Sequence, residues 1–553
     1  MTLFAILLMT AAAGFGLARW LQLPVVPVLI GAGMALNLAG VLPSEFHLGL
    51  PVGEEESRGE AMRLLEFGLV FLVFASGVEL NPRRFVRLGK TVTWVATVQF
   101  GVSAVIGFFT SRLMGFDILE ATYLGFGLAA SSTLVVVGQL RIRQAMFEPF
   151  GRVVTGVLLL QDAGLIVVIV VLSRIAGGPG GIGVGLGAVA LLGGVAWLGQ
   201  KRVIPWLVKR MDPDEESLLL WLVAVLFGFV GVAYWLGLPP IVGAFAGGFA
   251  FSAFPLNGLV RGQLSSLSGF FQALFFVALG GLAGVPDAAQ WLGALQFSGI
   301  VLLVTPPLVA VVAAWRGLNT RSSIESGLLL AQTSEFSLLL GVSGLALGHL
   351  STGGFAVLTM TPMITLTLTP FVGRERVADA LLRLHRFGYR RGIEKAPEGH
   401  VLVLGFGSAG MWTVKPLRAQ GEEVLVVDDD AMVCRTLARQ GIPVLRGDGS
   451  EKEVLAQAGA GNAKLVIVSM RRVGDAIKVL ETVRGVPVLV RVFEKEEADR
   501  IRAAGGVPIM NSDAAAETFL AWFGANDRLK ERDGSSNNPT DLPPAEAGPG
   551  RER

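Results

Sequence analysis

Between Val153 and Leu172 the chain reads VVTGVLLLQDAGLIVVIVVL, an apolar run broken near its middle by Gln161 and Asp162. A helix needs about 20 mainly apolar residues to cross the hydrocarbon core, and this run is long enough. An aspartate at the centre of such a span costs about 2.5–3.5 kcal/mol on insertion scales, so its retention marks a functional position. Loss of water favours the protonated carboxyl and a bound cation favours the ionised one. One buried acid can therefore hold a proton and a metal ion in turn, which is the least that cation/proton exchange requires. The competing structural reading is an aspartate that hydrogen-bonds, or pairs with Arg152, as glue between helices. Gln161 places a neutral amide beside the acid and adds ligands without a second charge.

The rest of the chain fits a membrane solvent. Of 553 residues, 52% are hydrophobic and only 16% charged, where a soluble chain carries about 25% charged residues. Apolar runs fill residues 1–372 and charges crowd into 373–553. A net charge of +2 with scattered basic clusters argues against a nucleic-acid partner. Cys434 is the single cysteine, which excludes a disulfide framework and suits a packed thiol. The first run lacks the positive flank of a signal peptide and reads as a span.

Thirteen apolar runs precede Arg374: 2–18, 24–42, 61–79, 91–113, 119–139, 152–173, 182–199, 217–236, 238–254, 266–285, 290–315, 322–348 and 353–373. Arg83, Arg84, Arg87 and Lys90 follow the third, Arg141, Arg143 and Arg152 the fifth, and Lys201, Arg202, Lys209 and Arg210 the seventh. Glu54, Glu55, Glu56, Asp117, Glu120 and Asp287 occupy the alternate loops. The excess of Lys and Arg expected on the cytoplasmic side places the N-terminus outside and the C-terminus inside a cell (inner) membrane. This parity depends on keeping the eighth and ninth spans separate around Leu236–Pro239; Arg261, Arg316 and Arg321 favour the separation.

Small polar residues interrupt two of these runs, Ser131-Ser132-Thr133 in the fifth and Gln332-Thr333-Ser334-Glu335 in the twelfth. Each is fourth in a five-span unit, spans two to six and nine to thirteen, and the odd offset puts the units in opposite orientation, as in inverted-repeat transporters. The expected fold is a polytopic α-helical membrane protein with two discontinuous helices crossing near the midplane, where freed backbone and hydroxyl groups replace an ion's water shell. Glu335 reads either as a second titrating site or as a structural partner, whereas Glu66 and Glu325 read as structural.

The ordered set formed by Glu66-Phe67-Gly68, Gly77-Val78-Glu79-Leu80-Asn81-Pro82-Arg83-Arg84, Ser131-Ser132-Thr133, Gly151-Arg152 with Leu160-Gln161-Asp162, and Gln332-Thr333-Ser334-Glu335-Phe336 resembles Kef-type potassium/proton antiporters of the monovalent cation:proton antiporter-2 family. The resemblance implies a thirteen-span homodimer with a dimerisation domain and a six-helix core domain moving as an elevator. It also implies that Gln-Asp is the potassium-associated variant of an Asp-Asp sodium site. The eleventh span reads Val304-Thr305-Pro306-Pro307 where relatives often carry a lysine.

From His400 the pattern changes to strands near 400–404, 423–427, 443–446, 464–469 and 488–492 alternating with amphipathic helices, a doubly wound parallel sheet of Rossmann type. Gly405-Phe406-Gly407-Ser408-Ala409-Gly410 is a GxGxxG turn between strand and helix, and Asp428 ends the next strand. Together they point to NAD(H) or another adenine nucleotide rather than NADP. Gly447-Asp448-Gly449-Ser450 either approaches that ligand or is a turn, and Pro416 is expected to kink its helix. The segment 399–525 resembles the RCK N-lobe, or TrkA-N domain. In glutathione-gated relatives an Arg and an Asn bind glutathione; Glu451 and Ala476 stand at the matching positions, so that gating is not implied. Residues 374–398 read as an amphipathic linker along the membrane surface, and 526–553 as a disordered tail.

Taken together, the expectation is a nucleotide-regulated monovalent cation/proton antiporter, with potassium (K+) efflux as first reading and sodium (Na+) exchange as the alternative on the same scaffold. Asp162 is the metal and proton site. Membrane lipid, a second copy of the chain and a nucleotide are its expected partners, with room for a cytoplasmic auxiliary subunit. A channel is disfavoured by the lack of a TVGYG-like filter, and an oxidoreductase, or any enzyme, by the lack of a substrate domain after the Rossmann-like lobe.

Overall fold

The structure is a computed structural model that describes residues 2–41, 55–80, 89–143, 145–146, 148–211, 215–252, 256–318, 320–373, 377–378, 380–381, 398–429, 431–470, 472–510 and 520. Most of the 374–398 linker and all of the 526–553 tail lie outside the described residues. The chain forms two compact units, Met1–Arg386 and Phe387–Arg553.

The first unit is helical: α1 (Thr2–Leu21), α2 (Val25–Leu38), α3 (Glu55–Glu79), α4 (Lys90–Leu113), α5 (Ile118–Ala129), α6 (Thr133–Ile142), α7 (Pro149–Ser173), α8 (Gly178–Leu198), α9 (Ile204–Met211), α10 (Glu215–Trp235), α11 (Pro240–Ala250), α12 (Leu256–Ala283), α13 (Ala288–Trp315), α14 (Thr320–Leu330), α15 (Glu335–Ala346) and α16 (Thr352–Val372). Each of the thirteen runs coincides with a helix, except the fifth and twelfth, which are pairs of half-helices, α5/α6 and α14/α15. Among the described residues, nine helices are long and apolar enough to cross a membrane, with Val25–Leu38, Pro240–Ala250 and Leu267–Ala283 as shorter apolar helices.

Many of the loop acids serve local chemistry. Asp117 caps α5 by accepting from the N–H of Glu120 at 2.6 Å, and Asp287 forms a capping box with Gln290 at the start of α13. Such caps satisfy amides that the first helical turn leaves unbonded. Contacts between loops join helix ends that the charge alternation assigns to one face. Arg174 donates to Leu236 O at 3.2 Å, Thr91 to Arg316 O at 3.3 Å, and Arg143 to Gly373 O. Merging the eighth and ninth spans would put Arg143 and Gly373 on opposite faces, so this last pairing supports their separation.

The helices fall into two groups by packing. One contains α1, α2, α3, α8, α10, α11 and α12; the other contains α4–α7 and α13–α16; between them α16 touches α2 and α12, and α7 touches α8 and α11. In lipid no hydrophobic force drives helices together, and small residues permit the close van der Waals contact that does. A Cβ on Gly248 of α11 would lie 2.0 Å from Phe74 O of α3, and one on Gly280 of α12 would lie 2.0 Å from Ile30 O of α2.

The second unit carries β1 (Val401–Leu404), α17 (Gly407–Ala419), β2 (Val424–Asp428), α18 (Ala431–Arg439), β3 (Val444–Arg446), α19 (Lys452–Gln457), β4 (Leu465–Val468), α20 (Val473–Thr482), β5 (Val488–Val492), α21 (Lys495–Ala503) and β6 (Val507–Met510). The six strands form one parallel sheet in the order β3-β2-β1-β4-β5-β6. The five expected strands are present. The sixth, Val507-Pro508-Ile509-Met510, was not predicted, because it is short and holds a proline, a residue tolerated only at a sheet edge. Pro416 lies inside α17, which continues through it to Ala419.

The packing of α3 on α11 predicts that Gly248→Val lowers the thermal unfolding temperature of the detergent-purified protein, by an overpacking cost of about 1–3 kcal/mol or more. Gly228→Ala, whose added Cβ meets nothing within 4 Å, leaves the temperature unchanged.

Candidate functional site: the crossing of the two broken helices

A helix interrupted inside a membrane exposes backbone groups that water cannot reach, so the surrounding side chains must bond them. The two breaks lie at Ala130–Ser132 and Ala331–Ser334, and they bond each other. Ser131 Oγ donates to Leu330 O at 2.8 Å, and Gln332 Nε2 lies 3.5 Å from Ser132 O. Local chemistry restarts both helices: Ser132 caps α6 by accepting from Val135 N, and Ser334 caps α15 by accepting from Phe336 N. Serine is among the preferred residues at this position because its short side chain reaches the free amides.

All the candidates of the membrane site, Ser131, Ser132, Thr133, Gln161, Asp162, Gln332, Thr333, Ser334 and Glu335, are buried together here. Asp162, from α7, accepts from Thr133 Oγ1 at 3.0 Å through Oδ2. Glu335, at the start of α15, lies beside the Ser132 side chain and the Leu134 backbone at the start of α6. Three buried acceptors remain without a donor: Asp162 Oδ1, Gln332 Oε1 and Glu335 Oε2. A buried polar atom left unbonded costs about 1–3 kcal/mol, and three oxygens with no donor among them match a cation's need for oxygen ligands.

Gln161 is placed differently from its expected part as a ligand. Its Oε1 accepts from Ser131 N at 3.0 Å and its Nε2 donates to Gln99 Oε1, so the amide is engaged in closing the first break. Thr333 is likewise held by structure: its N–H and hydroxyl meet Thr365 Oγ1 at 3.2 and 3.0 Å. Glu79, at the end of α3 in the other helix group, lies within electrostatic range of both Asp162 and Glu335. Of the two acids read as structural, Glu325 pairs with Arg321 at 3.2 Å within α14, and Glu66 is exposed.

In the second unit, Gly405 has φ +78 and a Cβ there would lie 3.0 Å from Met470 Cγ, so glycine is required by both conformation and space. The helix after the turn begins at Gly407; Ser408, Ala409 and Gly410 lie in its first turn, and the side chains of residues 407–412 lie outside the described residues. This strand–glycine turn–helix fits a nucleotide pyrophosphate, whose charge is met by amides at a helix N-terminus. Asp428 Oδ2 accepts from Phe406 N at 2.7 Å and thereby shapes the turn. Asp448 Oδ1 accepts from Ser450 N at 2.9 Å and Ser450 Oγ at 2.8 Å, the geometry of a self-capped turn. Cys434 is buried with its thiol on Asp428 O, a packed thiol as expected.

Residues 4–374 match the family described as sodium/hydrogen exchanger, transmembrane. The chain belongs to that family. Residues 401–522 match the TrkA-N domain, so this exchanger is a cation/proton antiporter carrying a TrkA-N domain after its membrane part. It is 24% identical over 520 residues to a putative K(+) efflux antiporter KefB of Alkalimonas amylolytica, covering 89% of this chain and 77% of the relative. It is 23% identical over 543 residues to the putative cation/proton antiporter YbaL of Escherichia coli, covering 93% and 96%. The solved structure of the sodium proton antiporter MjNhaP1 of Methanocaldococcus jannaschii matches with a TM-score of 0.49 and 15% identity, covering 70% of this chain and 99% of that one. The Kef-type resemblance carried by the motifs agrees with these relatives.

Sequence reasoning missed Gln99 and Thr365, the residues that bond the exchanger's two breaks from neighbouring helices. Each is polar in an apolar span, the same signal that singled out Asp162. Thr365→Val is expected to leave Thr333 N–H without its acceptor and to lower stability by about 1–3 kcal/mol. Thr365→Ser restores it, as read by thermal unfolding in detergent.

Proposed function

We propose that this antiporter exchanges a monovalent cation for a proton at Asp162, with Glu335 and Gln332 completing the oxygen shell. The observation that carries the reading is the set of three buried acceptor oxygens without donors where the broken helices cross. A cation held there by Asp162 Oδ1, Gln332 Oε1 and Glu335 Oε2 would keep Asp162 ionised, and its departure would let a proton take the same carboxyl. Thr133 would hold the other carboxylate oxygen throughout, so that the acid keeps its place in both states.

Potassium efflux is the first choice of ion and direction. Gln161-Asp162, the Kef-like motifs and the names of the relatives favour it, and sodium exchange on the same scaffold is the alternative. Two helix groups meeting along α16 and α7 suit an elevator, in which α4–α7 and α13–α16 would carry the site past α1–α3, α8 and α10–α12 held by a homodimer in lipid. Charge alternation favours an inner-membrane protein with the N-terminus outside and the TrkA-N domain in the cytoplasm. The glycine turn and Asp428 favour NAD(H) or an adenine nucleotide as a regulator, which would act by binding one transport state better than the other. Transport, not turnover of a substrate, is the proposed activity.

In vesicles of the full chain, added potassium or sodium is expected to drive proton flux that Asp162→Asn abolishes; flux persisting in that variant contradicts the proposal. Gly405→Val is expected to remove the rise in unfolding temperature that NAD or ADP gives the unsubstituted protein, while leaving Asp162-dependent flux measurable.

A further inference from the structure

The first break leaves two backbone groups that a continuous helix would have bonded internally, Ala129 C=O and Ser131 N–H. Two side-chain amides from two other helices join them. Ser131 N–H donates to Gln161 Oε1, Gln161 Nε2 donates to Gln99 Oε1, and Gln99 Nε2 donates to Ala129 O at 3.2 Å. The direction of this relay is fixed at both ends: a backbone N–H only donates and the Ala129 carbonyl only accepts, so neither amide can be turned over without losing a bond. Gln99 is 2% exposed and also lies 3.4 Å from Ser103 Oγ.

The helix that carries Gln99 is itself held tightly. A Cβ on Gly107 of α4 would lie 2.9 Å from Gly125 Cα of α5, and one on Gly125 would lie 2.6 Å from Ala104 O. Gln99 therefore reaches the break from a helix pressed backbone to backbone on the half-helix that ends there. On the far side of the same break stands Thr133, whose hydroxyl meets Asp162, and Asp162 directly follows Gln161 in α7.

We propose that Gln99 is a positioning residue for exchange, which through Gln161 closes the first break and sets the place where Thr133 and Asp162 meet. The inference rests on the reading of Asp162 as the exchange site. It also accounts for an amide at residue 161: Gln99 has committed its NH2 to Ala129 and presents only an oxygen, so its partner must donate. A carboxylate at 161 could still accept from Ser131 but could not bond Gln99. The two glutamines form a matched, uncharged unit, and the charge at the crossing is left to the acids.

The test is cation-driven proton flux in vesicles of the full chain, read as maximal rate and apparent cation KM. The variants are Gln99→Leu, Gln161→Leu, the double variant, Gln99→Glu and Asp162→Asn. If the amides act as one unit, each Leu variant weakens exchange about tenfold and raises the KM, and the double variant loses no more than either single one. Gln99→Glu supplies both a donor and an acceptor only when protonated, so its flux relative to the unsubstituted protein rises as pH falls. A purely structural loss at this position would show no such rise. Multiplying losses in the double variant, or Gln99→Glu at unsubstituted rates across the whole pH range, overturns the role of Gln99. Flux surviving Asp162→Asn overturns instead the exchange reading on which it rests. Should Gln99→Leu fail to fold, the pH profile of Gln99→Glu decides alone.

Discussion

Backbone amides and carbonyls freed inside a membrane must find partners in the protein, and the organisation of this membrane unit follows from how two helix breaks meet that demand. Each break draws on the other, through Ser131 to Leu330 and Gln332 toward Ser132. Each also draws on a neighbouring helix, through Gln161 with Gln99 at the first and Thr365 at the second. The serine caps then restart α6 and α15. When these bonds are made, the unbonded side-chain oxygens left at the crossing belong to Asp162, Gln332 and Glu335. The proposed cation site is thus the remainder of the backbone accounting, the place where acceptors outnumber donors.

The arrangement separates two kinds of polar work that a list of residues would merge. Ser131, Gln161, Thr333 and Thr365 hold the scaffold of the breaks, whereas Asp162, Glu335 and Gln332 keep acceptor capacity in reserve. Glu335 sits beside Ser132 and Leu134 of the first break, with one oxygen left without a donor. Glu79 brings a third carboxylate from the opposite helix group into electrostatic range.

Much of this was legible in the chain because it rests on contrast within short windows. Apolar runs located the helices, and hydroxyl-rich interruptions at Ser131–Thr133 and Gln332–Glu335 located the breaks. The β/α alternation after His400 located the sheet. The missing parts depend on neighbours far apart in sequence. Nothing near Gln99 signals that it faces Ala129 and Gln161, and nothing near Thr365 signals Thr333. Gln161 was expected to serve the ion, yet its orientation is decided by a backbone amide on another helix. Asp428 reads as a nucleotide ligand from its strand end and Asp448 as either a ligand or a turn residue, and both engage neighbouring backbone amides. The final strand escaped because Pro508 belies it.

The central claim is that proton and cation occupy one carboxyl-centred site by turns. Its most direct measurement is proton release during cation binding to the purified, detergent-solubilised protein, followed by calorimetry in buffers of different ionisation heat. Binding of potassium or sodium should release protons, the number falling toward zero at a pH high enough that the site is already ionised. Cation binding that releases no protons at any pH would contradict the account.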